Sequence, residues 1–177
     1  LRKEAAQVVE QLREAGLSKI VMMTGDSDRT AKAIAKRVGV DEYYSEVLPE
    51  DKANFVEREK QAGRKVIMIG DGINDSPALS AADVGIAISE GAEIAREVAD
   101  ITVGADDLKE IVKLKRLSDA LMQRIRRNYR IIVGFNTGLI VCGVTGVLPP
   151  TTSALLHNTS TLVIGLQSMK NLLDESE

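Results

Sequence analysis

Apolar and polar positions alternate along this chain with two periods. Ala5, Val8, Val9, Leu12 and Ala15 recur at helical spacing within residues 1–15, and Gly16 ends that helix. Residues 18–24 (SKIVMMT) then form an apolar run closed by Gly25-Asp26, as in a parallel strand buried on both faces. The pattern predicts helices over 27–38, ending at Gly39, and over 49–62, with Pro49 near the start and Gly63 at the end. A second buried-strand run, 64–70 (RKVIMIG), leads into Gly70-Asp71-Gly72. Beyond it we expect a short helix over 76–82, strands at 84–88 and 101–103, and a helix at 90–98 between them. Strands alternating with helices of this length imply an α/β fold, a parallel sheet with helices on both faces. Ligands of such sheets bind beyond the carboxyl ends of the strands, and here Asp26 and Asp71 occupy those ends.

From Asp107 the pattern changes. A charged helical stretch, 107–130, runs into 131–148, which carries no charge; Pro149-Pro150 follow, and then 151–169, also uncharged, up to Lys170. About 20 apolar residues span a bilayer as a helix. The two stretches therefore read as a stalk helix (107–130) and a transmembrane hairpin (131–148 and 151–169), with 170–177 as a tail. Arg124, Arg126, Arg127 and Arg130 on one flank and Lys170 on the other place both ends in the cytoplasm. The alternative is a helical hairpin buried in a soluble protein. The second stretch is rich in Thr, Ser, Asn and His, which suits a helix lining a transport path.

Composition sharpens this partition. The chain has 177 residues, 44% of them hydrophobic, and a net charge of −3, so it is neither a disordered chain nor a basic nucleic-acid binder. A single cysteine, Cys142, excludes a disulfide scaffold. No secretory signal opens the chain, and its first residue is Leu rather than Met, from which we expect a piece of something longer.

The densest chemistry is GDGINDSPAL, residues 70–79. Asp71 and Asp75 offer two carboxylates on a glycine-rich loop leaving a strand, the oxygen donors magnesium takes. Asn74 can donate to a phosphoryl oxygen. Thr24-Gly25-Asp26 supplies a hydroxyl and a backbone N–H at the other strand end. Lys52, in LPEDK (48–52), can neutralise phosphoryl charge in a transition state.

TGD, LPEDK and GDGINDSPAL, followed by paired apolar helices, resemble the P-type ATPases, and more closely their heavy-metal-transporting branch. The resemblance covers essentially the whole chain. It implies a haloacid-dehalogenase-like fold, with 1–106 as the C-terminal half of the phosphorylation domain and 107–177 as the stalk, last two membrane helices and tail. It implies roles for Thr24, Gly25, Asp26, Lys52 and Asn74 in phosphoryl transfer, and for Asp71 and Asp75 at magnesium. ATP, a transported metal cation, membrane lipid and the remaining pump polypeptide are the implied partners, with the phosphorylation domain cytoplasmic in a multi-pass membrane protein. The DKTGT motif that carries the family's phosphorylated aspartate is absent from these residues, so we expect these 177 residues to be inactive by themselves.

The cargo is less defined. His157, Asn158, Thr161 and Cys142 are candidate transport-path residues, with Asn136 also in the first uncharged stretch. HNTST (157–161) is similar to the HEGST run of cobalt- and iron-associated members, with Asn158 in place of the Glu. A divalent transition metal (zinc, cadmium, cobalt, iron or manganese) is expected and copper is the alternative. A haloacid-dehalogenase-like phosphohydrolase, soluble or membrane-associated, is the other reading of the whole.

Overall fold

The computed structural model describes residues 4–70, 73–88, 97–103 and 108–172. They fall into two compact units, Leu1–Val112 and Lys113–Glu177.

The first unit is α/β. Its order is α1 (Ala5–Glu14), β1 (Val21–Met23), α2 (Asp28–Val38), β2 (Glu42–Tyr44), α3 (Pro49–Gln61), β3 (Ile67–Gly70), a 3-10 turn (Ile73–Asp75), α4 (Ser76–Ala81), β4 (Val84–Ile88) and β5 (Ile101–Val103). The helices follow from their sequences. α1 buries Val8, Val9 and Leu12 on one stripe. α2 buries Ala31, Ala35 and Val38, and Gly39 closes it at φ 81°, a left-handed conformation that glycine adopts without strain. α3 begins at Pro49, whose missing N–H costs nothing in a first turn. There the Asp51 carboxylate accepts the Leu48 N–H at 3.2 Å.

All described ladders are parallel, as the alternating pattern predicts, but they form two sheets rather than one: β1-β2, and β3-β4-β5. Val21 lies opposite Glu42, Ile67 opposite Val84, and Ile86 opposite Ile101. β4 is the middle strand of its sheet and buries Gly85 to Ile88. A core of Val56, Met68, Ala78 and Leu79 joins α3, β3 and α4, and Met23 of β1 packs against it.

β2 was not expected. Its three residues, Glu-Tyr-Tyr, present one half-buried side chain between two exposed ones, so no apolar run marks it. The expected helix over 90–98 falls almost wholly outside the described residues.

Three aspartates fasten the strands at their amino ends. Asp41, Asp83 and Asp100 each stand one residue before a strand. Each carboxylate accepts an N–H from the neighbouring strand or the residue before it: Ile20 at 2.7 Å, Val66 at 2.9 Å and Gly85 at 2.8 Å.

The second unit is helical, formed by α5 (Lys109–Val144), which begins in the first unit, and α6 (Pro150–Ser168). The expected boundary between a stalk at 107–130 and a span at 131–148 is not a break: one helix runs through it. That helix stops at Val144 rather than 148, so the uncharged part of α5 covers only 131–144. Polar side chains interrupt α6 at Thr151 to Ser153 and at His157 to Thr161. Accordingly, no helix among the described residues is long and apolar enough to cross a membrane.

Candidate phosphoryl-transfer site

Lys52 sits in the first turn of α3 and Asp75 at the end of the 3-10 turn after β3. The sequence separates them by 23 residues, yet Lys52 Nζ donates to Asp75 Oδ1 at 2.7 Å. Both side chains are largely withdrawn from solvent, with relative exposures of 15% and 11%. An ion pair in such a place is electrostatically stronger than on an open surface. It also holds an ammonium beside the end of a strand.

Gly70 explains how Asp75 fits there. A Cβ on residue 70 would lie 2.6 Å from the Asp75 Cβ and 2.8 Å from its Oδ2. Only glycine leaves room for the carboxylate to fold back against the end of β3. Asp71, the other expected carboxylate, lies outside the described residues, as does Gly72. Asn74 is exposed. Ser76, next to Asp75, carries a buried hydroxyl with no hydrogen-bond partner among the described residues. The sequence reading did not single it out.

The second expected segment follows β1. Thr24 is held on both backbone sides, its N–H donating to Tyr44 C=O and its C=O accepting from Val47 N–H, each at 3.0 Å. Glu46 N–H donates to Asp26 C=O at 3.0 Å, with Glu46 itself at φ 54°. The Thr24 Oγ1 accepts the Asp26 N–H at 3.1 Å. Accepting that bond leaves the hydroxyl proton free to donate outward. Asp26 itself is exposed. The structure thus brings Lys52 onto Asp75 and fixes Thr24, Gly25 and Asp26 in one turn at a strand's carboxyl end.

Magnesium would find a hard oxygen donor in Asp75, whose carboxylate is buried and has one oxygen outside the Lys52 bond. The donor chemistry therefore fits.

In the second unit His157 Nδ1 lies 2.8 Å from Asn136 Oδ1. Thr161 Oγ1 donates to the His157 C=O at 3.0 Å rather than toward the imidazole. Cys142 is a free, half-buried thiol. Its carbonyl, not its sulfur, serves the turn that follows α5, accepting the Val147 N–H at 2.9 Å. Asn158 is exposed. Among the described residues no three His, Cys, Asp or Glu side chains converge as a metal site.

Residues 1–83 match the haloacid dehalogenase-like hydrolase family. Over 171 residues the chain is 40% identical to a manganese-exporting P-type ATPase of Mycobacterium leprae, covering 96% of this chain and 24% of that protein. It is 44% identical over 156 residues to a copper-transporting P-type ATPase of Rhizobium leguminosarum bv. viciae, covering 88% and 18%. Its fold superposes on the crystal structure of a zinc-transporting PIB-type ATPase in the E2.Pi state with a TM-score of 0.85 and 35% identity, over 93% of this chain and 27% of the other. The chain belongs to the heavy-metal P-type ATPases, with a haloacid dehalogenase-like fold, and spans roughly a fifth to a quarter of the length of the relatives it matches.

Proposed function

We propose that these residues are the magnesium-side half of a phosphorylation site and two core helices of an ATP-driven heavy-metal pump. The observation that carries the reading is the Lys52–Asp75 contact, set among three motif segments at or near the carboxyl ends of parallel strands. Phosphoryl transfer asks a protein chiefly for positioning and for positive charge against the phosphoryl oxygens. Lys52 supplies that charge, and Asp75 keeps the ammonium aimed before a phosphoryl group arrives. The free Thr24 proton and the Gly25 backbone N–H hold phosphoryl oxygens; Asn74 donates to another. Asp71 joins Asp75 as a magnesium ligand. Magnesium, when bound, draws negative charge from the phosphoryl group.

The nucleophile is an aspartate outside these residues. The two-sheet architecture supports this. Among the described residues β1 and β3 each have a partner on one edge only, and Met23 of β1 reaches the core around Met68 of β3. One further parallel strand between them would make a single sheet and bring an aspartate to the carboxyl ends where Thr24 and Asp75 sit.

We place α5 and α6 in the bilayer as part of the whole pump's membrane region, the phosphorylation domain being cytoplasmic. Residues 131–169 carry no charge. Large apolar side chains, among them Ile140, Val141, Leu155, Leu162 and Leu166, are exposed. Several polar groups of α6 are met within the hairpin: Thr159 Oγ1 donates to Leu155 C=O at 2.8 Å, Ser160 Oγ to His157 C=O at 2.8 Å, and His157 pairs with Asn136. Satisfied in this way, they cost less in hydrocarbon than free polar groups would. The cargo is a transition-metal cation, divalent by the character of HNTST, with copper the alternative. His157, Asn158, Thr161 and Cys142 remain the candidate path residues.

The match of residues 1–83 to the haloacid dehalogenase-like hydrolases carries a second reading, a haloacid-dehalogenase-like phosphohydrolase with a helical hairpin. ATP turnover by a protein carrying this segment separates the two. A pump gives turnover that rises with one metal cation; a phosphohydrolase gives turnover indifferent to it.

A further inference from the structure

Two polar ties hold α5 and α6 together. One is Asn136–His157. The other lies at the far end of the hairpin, where Arg124 Nη1 donates to Ser168 C=O at 3.0 Å and also to Lys170 C=O, and Nη2 donates to Asn171 C=O at 2.8 Å. Asn128 Nδ2 adds a bond to Ser168 Oγ at 2.7 Å. Asn136 lies twelve residues beyond Arg124 on α5, and Ser168 lies eleven beyond His157 on α6. At a rise of 1.5 Å per residue these are about 18 Å and about 17 Å. The ties therefore agree on a single antiparallel register.

We propose that Arg124 is a positioning residue: by holding the C-terminal end of α6 it sets the register that seats His157 against Asn136. A helix end leaves carbonyls without partners and carries partial negative charge. α6 ends at Ser168, and the planar guanidinium reaches three carbonyls there at once. A lysine ammonium is a point charge and cannot reproduce that fork. The apolar contacts along α5 and α6 carry little register information by comparison, since many of their large side chains are exposed.

The register claim stands on the hairpin alone; its effect on metal handling rests on the pump reading. Two measurements test them apart. In the full chain with Cys142→Ser, cysteines replacing Ile132 and Thr161, each one turn from the Asn136–His157 pair, report register by disulfide formation. We expect efficient cross-linking with Arg124 present, a loss of about tenfold in cross-linking rate in R124Q, partial recovery in R124K, and no change in R126Q, which removes the same charge elsewhere on α5. Cross-linking at the same rate in R124Q as with Arg124 overturns the proposal. In the whole pump, R124Q is expected to raise the metal KM while phosphorylation by inorganic phosphate keeps its wild-type level. An unchanged metal KM overturns the link from register to metal. A wild-type protein with no metal-dependent turnover overturns the pump reading and leaves the cross-linking result to decide the register.

Discussion

Lys52 Nζ meets Asp75 Oδ1 at 2.7 Å across 23 residues of chain, joining the first turn of α3 to the loop after β3. The contact has both a structural and a chemical consequence. Removing the ammonium leaves a largely buried carboxylate without its partner. We expect K52A to lower stability by about 2 kcal/mol. Thermal unfolding of the chain measures this. In the whole protein the same substitution should reduce the rate of phosphoryl transfer at least about a hundredfold, because the positioned positive charge is gone. Stability recovered in K52R without recovered transfer would separate the two roles.

Gly70 is required by close approach rather than by backbone conformation. A methyl group at that position meets the Asp75 side chain at 2.6 Å. G70A should therefore cost about 1–3 kcal/mol through overpacking and swing Asp75 away from Lys52. A crystal structure of the variant would show the Lys52–Asp75 distance lengthened. An intact 2.7 Å contact in G70A would contradict this account.

Thr24 separates hydroxyl chemistry from packing. Its Oγ1 accepts the Asp26 N–H at 3.1 Å, a bond that serine can also make. T24S should keep the turn and most of the phosphorylation rate. T24V keeps the shape but removes both acceptor and proton, and should lower the rate by about tenfold or more. Steady-state phosphorylation of the whole protein checks the order.

Acid should unfold the first unit through its strand-fastening carboxylates. The Ile20 N–H holds the Asp41 carboxyl below the usual range, helped by Arg13, and the Val66 N–H with Lys65 does the same for Asp83. The bond from Arg64 lowers Glu59, and that from Lys19 lowers Glu42. A depressed folded-state pKa means that the unfolded chain binds more protons as pH falls. The stabilisation is complete above the ordinary carboxylate range, about pH 5, and is lost as pH drops through the lowered values. Denaturant midpoints should fall steadily below about pH 5, and D83N should flatten that fall. Equal slopes in D83N and wild type would count against it.

How far the sequence carried depends on the distance over which each feature is written. The α3 boundaries, Pro49 to Gln61 against an expected 49–62, are local, being set by a first-turn proline and a closing glycine. The glycine-rich loop after β3 is local too, and it drew attention to Asp75 and, through motif company, to Lys52. Their contact was not legible, since it depends on how α3 and β3 pack around Val56 and Met68. β2 was missed because three residues with two exposed side chains leave no pattern. At 130/131 the charge changes while the helix of α5 runs on, so the sequence marks a change of surroundings there and not an end of secondary structure. Asn136 and His157 were both visible as polar residues in uncharged stretches, but pairing them requires the hairpin register. Asp41, Asp83 and Asp100 carry a signal that could have been read, an aspartate directly before each of three strands; attention went instead to the aspartates at the carboxyl ends.

If Lys52 and Asp75 serve phosphoryl transfer onto an aspartate, radiolabel should pass from ATP to the whole protein carrying this segment, in the presence of magnesium and a series of metal cations. An aspartyl phosphate is an intermediate of such ATPases, and hydroxylamine cleaves an acyl phosphate. The labelling should be metal-dependent, hydroxylamine-labile and lost in D75N. Absence of label with every metal, or labelling in D75N at the wild-type level, would contradict it.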